Sequence, residues 1–192
     1  ELPSSRAEVD YAIIKASPVS EKMVLVTLNS NGNLGGYVCM ANCSNASNWK
    51  NTSNIGSTNN PAVQAFDLEF ETSSGDAIVV YSVNSTNVSR DLAYKVLLNG
   101  TSNFTGIAEQ YINDANYGTD VQYSWVRLDR KPTASEELLL VAFDATHTRT
   151  NAWVWNGSVW GNQSNISLST VDDSPGAQPL AVRYSSSGTK GM

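Results

Sequence analysis

The acids of Phe66 to Glu71 (FDLEFE) alternate with apolar residues, so Asp67, Glu69 and Glu71 project from one face of an extended strand. Paired carboxyl groups are what glycosidic-bond hydrolysis requires, at about 5 to 10 Å across the scissile bond. Glu136 and Glu137 are the other close acids, but neighbours in an extended turn point apart instead of flanking a bond. The single histidine, His147, sits in the stretch ATHTRTN. A serine-type triad would have to use it as the base, yet no nucleophile elbow or oxyanion motif accompanies it, and an exposed loop histidine is the expectation. Cys39 and Cys43 are spaced C-x3-C. In an extended chain their Cα atoms would stand roughly 13 Å apart, beyond the roughly 7 Å a disulfide tolerates, so a bond needs a turn at Met40-Ala41-Asn42. The alternative is two buried thiols on the face shared with Tyr37 and Ala41. Structural zinc takes four ligands, and no histidine or further cysteine lies nearby. Asn29-Ser30-Asn31-Gly32-Asn33 has the spacing of a calcium loop but no carboxylate. No metal and no cofactor is expected.

The elements that would position these residues recur. Tyr11 to Ser30 (YAIIKASPVSEKMVLVTLNS) lies over Phe66 to Ser85 (FDLEFETSSGDAIVVYSVNS) without a gap, until Trp49 falls on Phe104. SEELLLVAFDA, Ser135 to Ala145, is a third copy, and PLAVRYSSSGTKGM, Pro179 to Met192, opens a fourth. A period of roughly 55 to 60 residues suits one four-stranded propeller blade. The copies run over 9–62, 63–119 and 120–171, with a partial one at 172–192, giving an all-β, propeller-type module of about three and a half blades.

Strands are expected at Val9–Lys15, Met23–Leu28, Gly36–Cys39 and Trp49–Asn51; at Ala65–Glu71, Ala77–Val83, Leu92–Leu98 and Phe104–Tyr111; and at Tyr123–Leu128, Leu138–Phe143, Asn151–Trp155 and Val159–Leu168. Leu180–Tyr184 and a strand opening at Met192 would begin the fourth copy. The alternating FDLEFE implies one face near water, whereas the continuous runs Ile78–Tyr81 and Leu138–Val141 imply strands covered on both faces. Pro18–Glu21 and Ser73–Asp76 turn between first and second strands, and Asn31-Gly32, Asn99-Gly100 and Asn156-Gly157 are hairpin signals.

Trp153, Trp155 and Trp160 bracket the Asn156-Gly157 turn, and Trp49 and Phe104 hold places like that of Trp160. Aromatics in such places stack on sugar faces, as in lectin propellers, or pack one blade on the next. Both readings stay open. Asn-X-Ser/Thr sequons start at Asn42, Asn45, Asn51, Asn84, Asn87, Asn99, Asn103, Asn156, Asn162 and Asn165, and are glycosylation sites or chance products of an Asn/Ser/Thr-rich composition.

Over 192 residues, 41% hydrophobic content with 16% charge fits a folded domain, and a net charge of −6 without a Lys/Arg run argues against nucleic acid. The longest apolar runs are strand-sized, too short for a membrane span. Low Lys with abundant Asn, Ser, Thr and Gly points outside the cytoplasm. The start at Glu1, with no Met and no signal peptide, is expected to follow a removed leader or a cut from something longer.

SEELLLVAFDA, NAWVWNGSVWGN and FDLEFETSSGDAIVVYS resemble the repeating units of large bacterial and archaeal secreted or cell-surface β-propeller proteins. The resemblance implies a loop-closing disulfide between Cys39 and Cys43, since similar repeats carry a Cys pair shortly before a Trp. Propellers place first strands beside a central channel, which makes Asp67, Glu69, Glu71, Arg127, Asp129 and Arg183 candidate channel-facing residues, with solvation or interblade ion pairing as the alternative. The expected function is non-catalytic: adhesion, assembly or recognition outside the cell. The partners would be missing blades or a second copy, about seven blades resulting from two chains. The competing expectations are a carbohydrate-binding propeller and a glycoside hydrolase or lyase.

Overall fold

A computed structural model describes residues 8–52, 54–58, 60–83, 87, 90–113, 121–133, 135–144, 147–167 and 180–187, without the side chains of residues 162 and 167. Turns and loops join strands that pair with their sequence neighbours, and the chain forms three antiparallel meanders. The first contains β1 (Val9–Ala16), β2 (Met23–Asn29), β3 (Asn33–Cys39) and β4 (Trp49–Asn51), with β5 (Gly56–Ser57) also paired to β3. The second contains β6 (Phe66–Phe70), β7 (Ala77–Ser82), β8 (Leu92–Leu97) and β9 (Gln110–Ile112). The third contains β10 (Tyr123–Arg130), β11 (Glu137–Asp144), β12 (Arg149–Asn156) and β13 (Trp160–Ser167). The one helical turn among the described residues is Ala46–Asn48, and no described helix is long and apolar enough to cross a membrane.

The sheets pack face to face. Val24, Val26 and Leu28 of the first meet Phe66, Leu68, Phe70, Val79 and Tyr81 of the second. Ile78 and Val80, on the other face of β7, meet Leu138, Leu140, Trp153 and Trp155 of the third. A strand covered on both faces is apolar almost throughout, and all six residues of β7 are buried, with Ser82 the one small polar residue at its end. Val63, Ala65 and Leu180 cover part of the far face of the third sheet, over Trp125 and Phe143. The first strands gather side by side, β6 touching both β1 and β10.

Hairpin geometry corrects the sequence alignment by one residue. Ala16 pairs with Met23 and Phe70 with Ala77, and each intervening loop is closed by an equivalent bond, Ser17 N–H to Lys22 O at 2.8 Å and Glu71 N–H to Asp76 O at 2.9 Å. The equivalent residues are therefore Ala16 and Phe70, so Tyr11 does not correspond to Phe66. A one-residue slip exchanges the faces of a strand, so the point decides which side chains correspond. Met23 and Leu25 occupy the places of Ala77 and Val79, which are buried against the first sheet. On the first sheet that face is open, with Ile14 51% exposed and Met23 and Leu25 half-buried.

Three other expectations change. Asp67, Glu69 and Glu71 do not face water: they are 5%, 4% and 3% exposed, because β6 lies between β1 and β10. The fourth strand of the second sheet starts at Gln110, not at Phe104, because Ile107 N–H bonds back to Phe104 O and Gly106 adopts φ 79° in an intervening turn. The Asn99-Gly100 step accordingly lies in a longer loop, whereas Asn156-Gly157 closes the β12–β13 hairpin, Gly157 at φ 93°. At 180–187 the chain makes a single bridge at Tyr184, and the strand expected from Met192 lies outside the described residues.

The first and second sheets are also joined by a buried amine. Lys22 is fully enclosed and its Nζ donates to Leu98 O at 2.8 Å and Asn99 O at 3.3 Å. Burial draws its pKa down to about 8, against the pull of Asp76.

Candidate functional site

Lys15, Glu69 and Asp129 are structurally equivalent, each one pair inward from the last pair of its first hairpin. Because the first strands converge, these side chains meet at one place. Lys15 Nζ lies 2.8 Å from Glu69 Oε2, and Arg130 Nη1 lies 3.7 Å from Glu69 Oε1. The same Oε1 accepts Phe70 N–H at 2.9 Å. Burial pulls the Lys15 pKa down, but the hydrogen bond and charge of Glu69, with Asp67 and Asp129 beyond, carry it above the usual lysine value. Asp129 Oδ2 accepts Tyr184 N–H at 2.6 Å, and Tyr184 Oη donates to Glu137 Oε1 at 2.8 Å. Burial and Glu137 raise the Tyr184 pKa.

These groups line a half-open cavity of about 720 Å³, with Arg183 at its edge and Ile14, Ala16 and Pro132 as its apolar wall. Of the six expected channel-facing residues, Glu69, Asp129 and Arg183 line it. Lys15 and Arg130 were missed by sequence reading. Aligning the first two copies by their hairpin closures would have placed Lys15 over Glu69.

Asp67 lies outside the cavity lining and ties two strands together. Its Oδ1 accepts Leu68 N–H and its Oδ2 accepts Leu128 N–H, both at 2.8 Å. Burial raises its pKa to about 6 despite those bonds and the charges of Lys15 and Arg127. Arg127 lies with its guanidinium carbon 5.1 Å from the ring centroid of Trp125.

Glu71 belongs to a different cluster. It accepts Trp155 Nε1–H and Ser74 Oγ–H, while Glu136 accepts Ser73 Oγ–H and lies 3.4 Å from Ser74 N. Ser74 bonds to both carboxyl groups, its Oγ–H to Glu71 and its N–H toward Glu136, and so brings the two acids close. Burial and then Glu136 push the Glu71 pKa up to about 7, and the bond from Glu71 holds Glu136 below the usual range. Glu71 is 3% exposed and taken up by Trp155 and Ser74, which leaves it no open side for a glycosidic bond.

Trp153 and Trp155 are 2% and 3% exposed, in the core between the second and third sheets. Tyr94 meets Trp155 edge-on at 5.7 Å and Trp160 at 6.2 Å, and Trp160 is half-buried. Rings enclosed in this way have no face open to a sugar, which corrects the stacking reading for Trp153 and Trp155. Phe104 is likewise buried, and Trp49 Nε1 donates to Cys43 O at 3.0 Å.

Cys39 and Cys43 form a disulfide, their Cα atoms 5.7 Å apart. The required turn is made by Asn42 in the left-handed region, φ 52°. The five-residue loop is short, so Cys43→Ser should lower stability by only about 2 kcal/mol, read as a shift in the urea midpoint. His147 is half-buried in the turn before β12, not exposed: its Nδ1 lies 2.7 Å from Asp144 Oδ2, and Asp144 is fully buried. Asn42, Asn45, Asn51, Asn87, Asn103, Asn156 and Asn165 are exposed, Asn99 is half-buried, and Asn84 and the Asn162 side chain lie outside the described residues. In the Asn29–Asn33 segment, Asn29 Oδ1 accepts the Asn31 and Asn33 N–H groups at 3.0 Å. Among the described residues no three His, Cys, Asp or Glu side chains are grouped to hold a metal.

No protein-family model matches the chain, and no curated protein matches it. The functional reading therefore rests on this geometry and on the sequence resemblance.

Proposed function

We propose that the chain is a non-catalytic repeat module of a secreted or cell-surface β-propeller, serving adhesion, assembly or recognition through stacking of equivalent sheets. One observation carries this reading: Met23 and Leu25 are open to solvent in part, at positions whose equivalents, Ala77 and Val79 in the second sheet and Leu138 and Leu140 in the third, are buried against a neighbouring sheet. A face patterned to be covered is completed by another sheet of the same kind, from a further stretch of chain or a second copy. The disulfide and seven exposed sequons favour an oxidising, extracellular setting.

The hydrolase reading is weakened by the engagement of the close acids: Glu69 by Lys15, Asp67 by backbone N–H groups, and Glu71 by Trp155 and Ser74. The lectin reading based on Trp153 and Trp155 is weakened by their burial.

Sedimentation velocity tests the assembly reading. The wild-type chain should associate as concentration rises, and Leu25→Glu, which puts a charge on the open face, should remain monomeric with unchanged far-UV circular dichroism. A wild-type chain that stays monomeric at high concentration would rule out completion by a second copy.

A further inference from the structure

We propose that the cavity at the ends of β1, β6 and β10 binds a singly charged carboxylate carried on a small aliphatic or saccharide body. Every lining residue belongs to one chain, but Ile14 shares the open face of the first sheet, so the inference rests on a further sheet leaving this end of β1 uncovered.

Charge selects the ligand. Lys15, Arg130 and Arg183 face Glu69 and Asp129, which leaves one net positive charge in the cavity of a chain whose net charge is −6. A monoanion neutralises that excess. The second charge of a phosphate dianion would find no net positive charge left to attract it, while its desolvation cost grows with the square of the charge. Arg183 is exposed, and among the described residues no carboxylate lies within ion-pair distance of it. Arg130 approaches Glu69 only at 3.7 Å, longer than a hydrogen bond, so its donors are left for another acceptor.

Geometry supplies the rest. Glu69 holds Lys15 at 2.8 Å, and Asp129 anchors the backbone beside Arg183 through the Tyr184 N–H, so one cation is held directly and the chain that carries another is fixed. Two planar guanidinium groups at one cavity suit the flat, two-oxygen carboxylate. Ile14, Ala16 and Pro132 offer the carbon skeleton an apolar wall. A volume of about 720 Å³ falls within the usual range of small-molecule sites.

The test is a titration of the ¹⁵N-labelled chain with acetate, galacturonate, galactose and inorganic phosphate, followed by amide shifts of β1, β6, β10 and 180–187. Saturable shifts with galacturonate are expected, weakened by about tenfold or more in Arg183→Ala and only partly in Arg183→Lys. Acetate moving the same resonances would assign the site to the carboxylate alone, and galacturonate without acetate would assign it to an acidic saccharide; both support the proposal. It is overturned if galactose binds as well as galacturonate, if phosphate binds more tightly, if no probe saturates, or if a folded Arg183→Ala chain binds undiminished.

Discussion

Replacing Trp155 by alanine should lower stability by about 3 to 5 kcal/mol, which for a chain of this size is a fall of about 6 to 20 °C in Tm. The indole is 3% exposed, packs edge-on against Tyr94 and leans on Trp160, with ring centroids 5.4 Å apart. Its removal opens a hole between the second and third sheets that neither can close without losing contact elsewhere. The substitution also takes the Nε1 donor from Glu71, leaving a buried carboxyl group short of a partner. Trp155→Phe retains most of the packing and isolates the second effect, so it should lose less. The pair distinguishes a packing aromatic from a ligand platform. A platform residue would change glycan binding with little change in thermal unfolding, and a Trp155→Ala chain that melts with the wild type would refute the packing role.

Stability should fall as pH rises from about 4 to about 7. The sign follows from two buried carboxyl groups whose folded pKa lies above the unfolded one. Asp67 moves from 3.8 to about 6 and Glu71 from 4.5 to about 7. Below the unfolded values both are protonated in either state and nothing is lost. As pH rises through the folded values, the unfolded chain ionises freely while the folded chain must hold the charge out of water, and stability drains away. For Asp67 this is on the order of 3 kcal/mol. Glu136 shifts the other way, so its contribution is lost only on acidification below about 4.5 and does not enter this window. Glu71→Gln is the informative variant, because its amide keeps an oxygen to accept from Trp155 and cannot ionise. Urea unfolding at several pH values should show a shallower decline for Glu71→Gln between about pH 5 and 7, with the Asp67 part remaining. Parallel profiles for variant and wild type would sink the account.

Much of the fold could be read from residue order because the signals were local. Asn156-Gly157 announced a hairpin, and the apolar run from Ile78 to Tyr81 announced a strand buried on both faces; each depends on its immediate neighbours in the chain. The acids of β6 were misread for the opposite reason. Alternation shows that two faces differ, but whether the polar face meets water depends on what lies across from it, here β10, whose Leu128 N–H donates to Asp67, and β1 with Lys15. Phe104 misled because a large apolar residue can fill the core from a loop as well as from a strand. The cavity was half legible: Glu69, Asp129 and Arg183 stood out as charges in first strands, whereas Lys15 was hidden by an alignment one residue out of step.

Lys22 has a consequence for how the first two sheets come together. Its ammonium is solvated when the sheets are apart and capped by the carbonyls of Leu98 and Asn99 when they are joined, but a partly closed joint would strip away water before those oxygens are within reach. Such an intermediate would leave the ammonium short of both water and carbonyl partners, which costs stability. The amine thus favours the one joined arrangement in which the carbonyls of Leu98 and Asn99 both reach it. It lets the joint between the two sheets form in the right place or not at all, and resists gradual sliding of one sheet over the other.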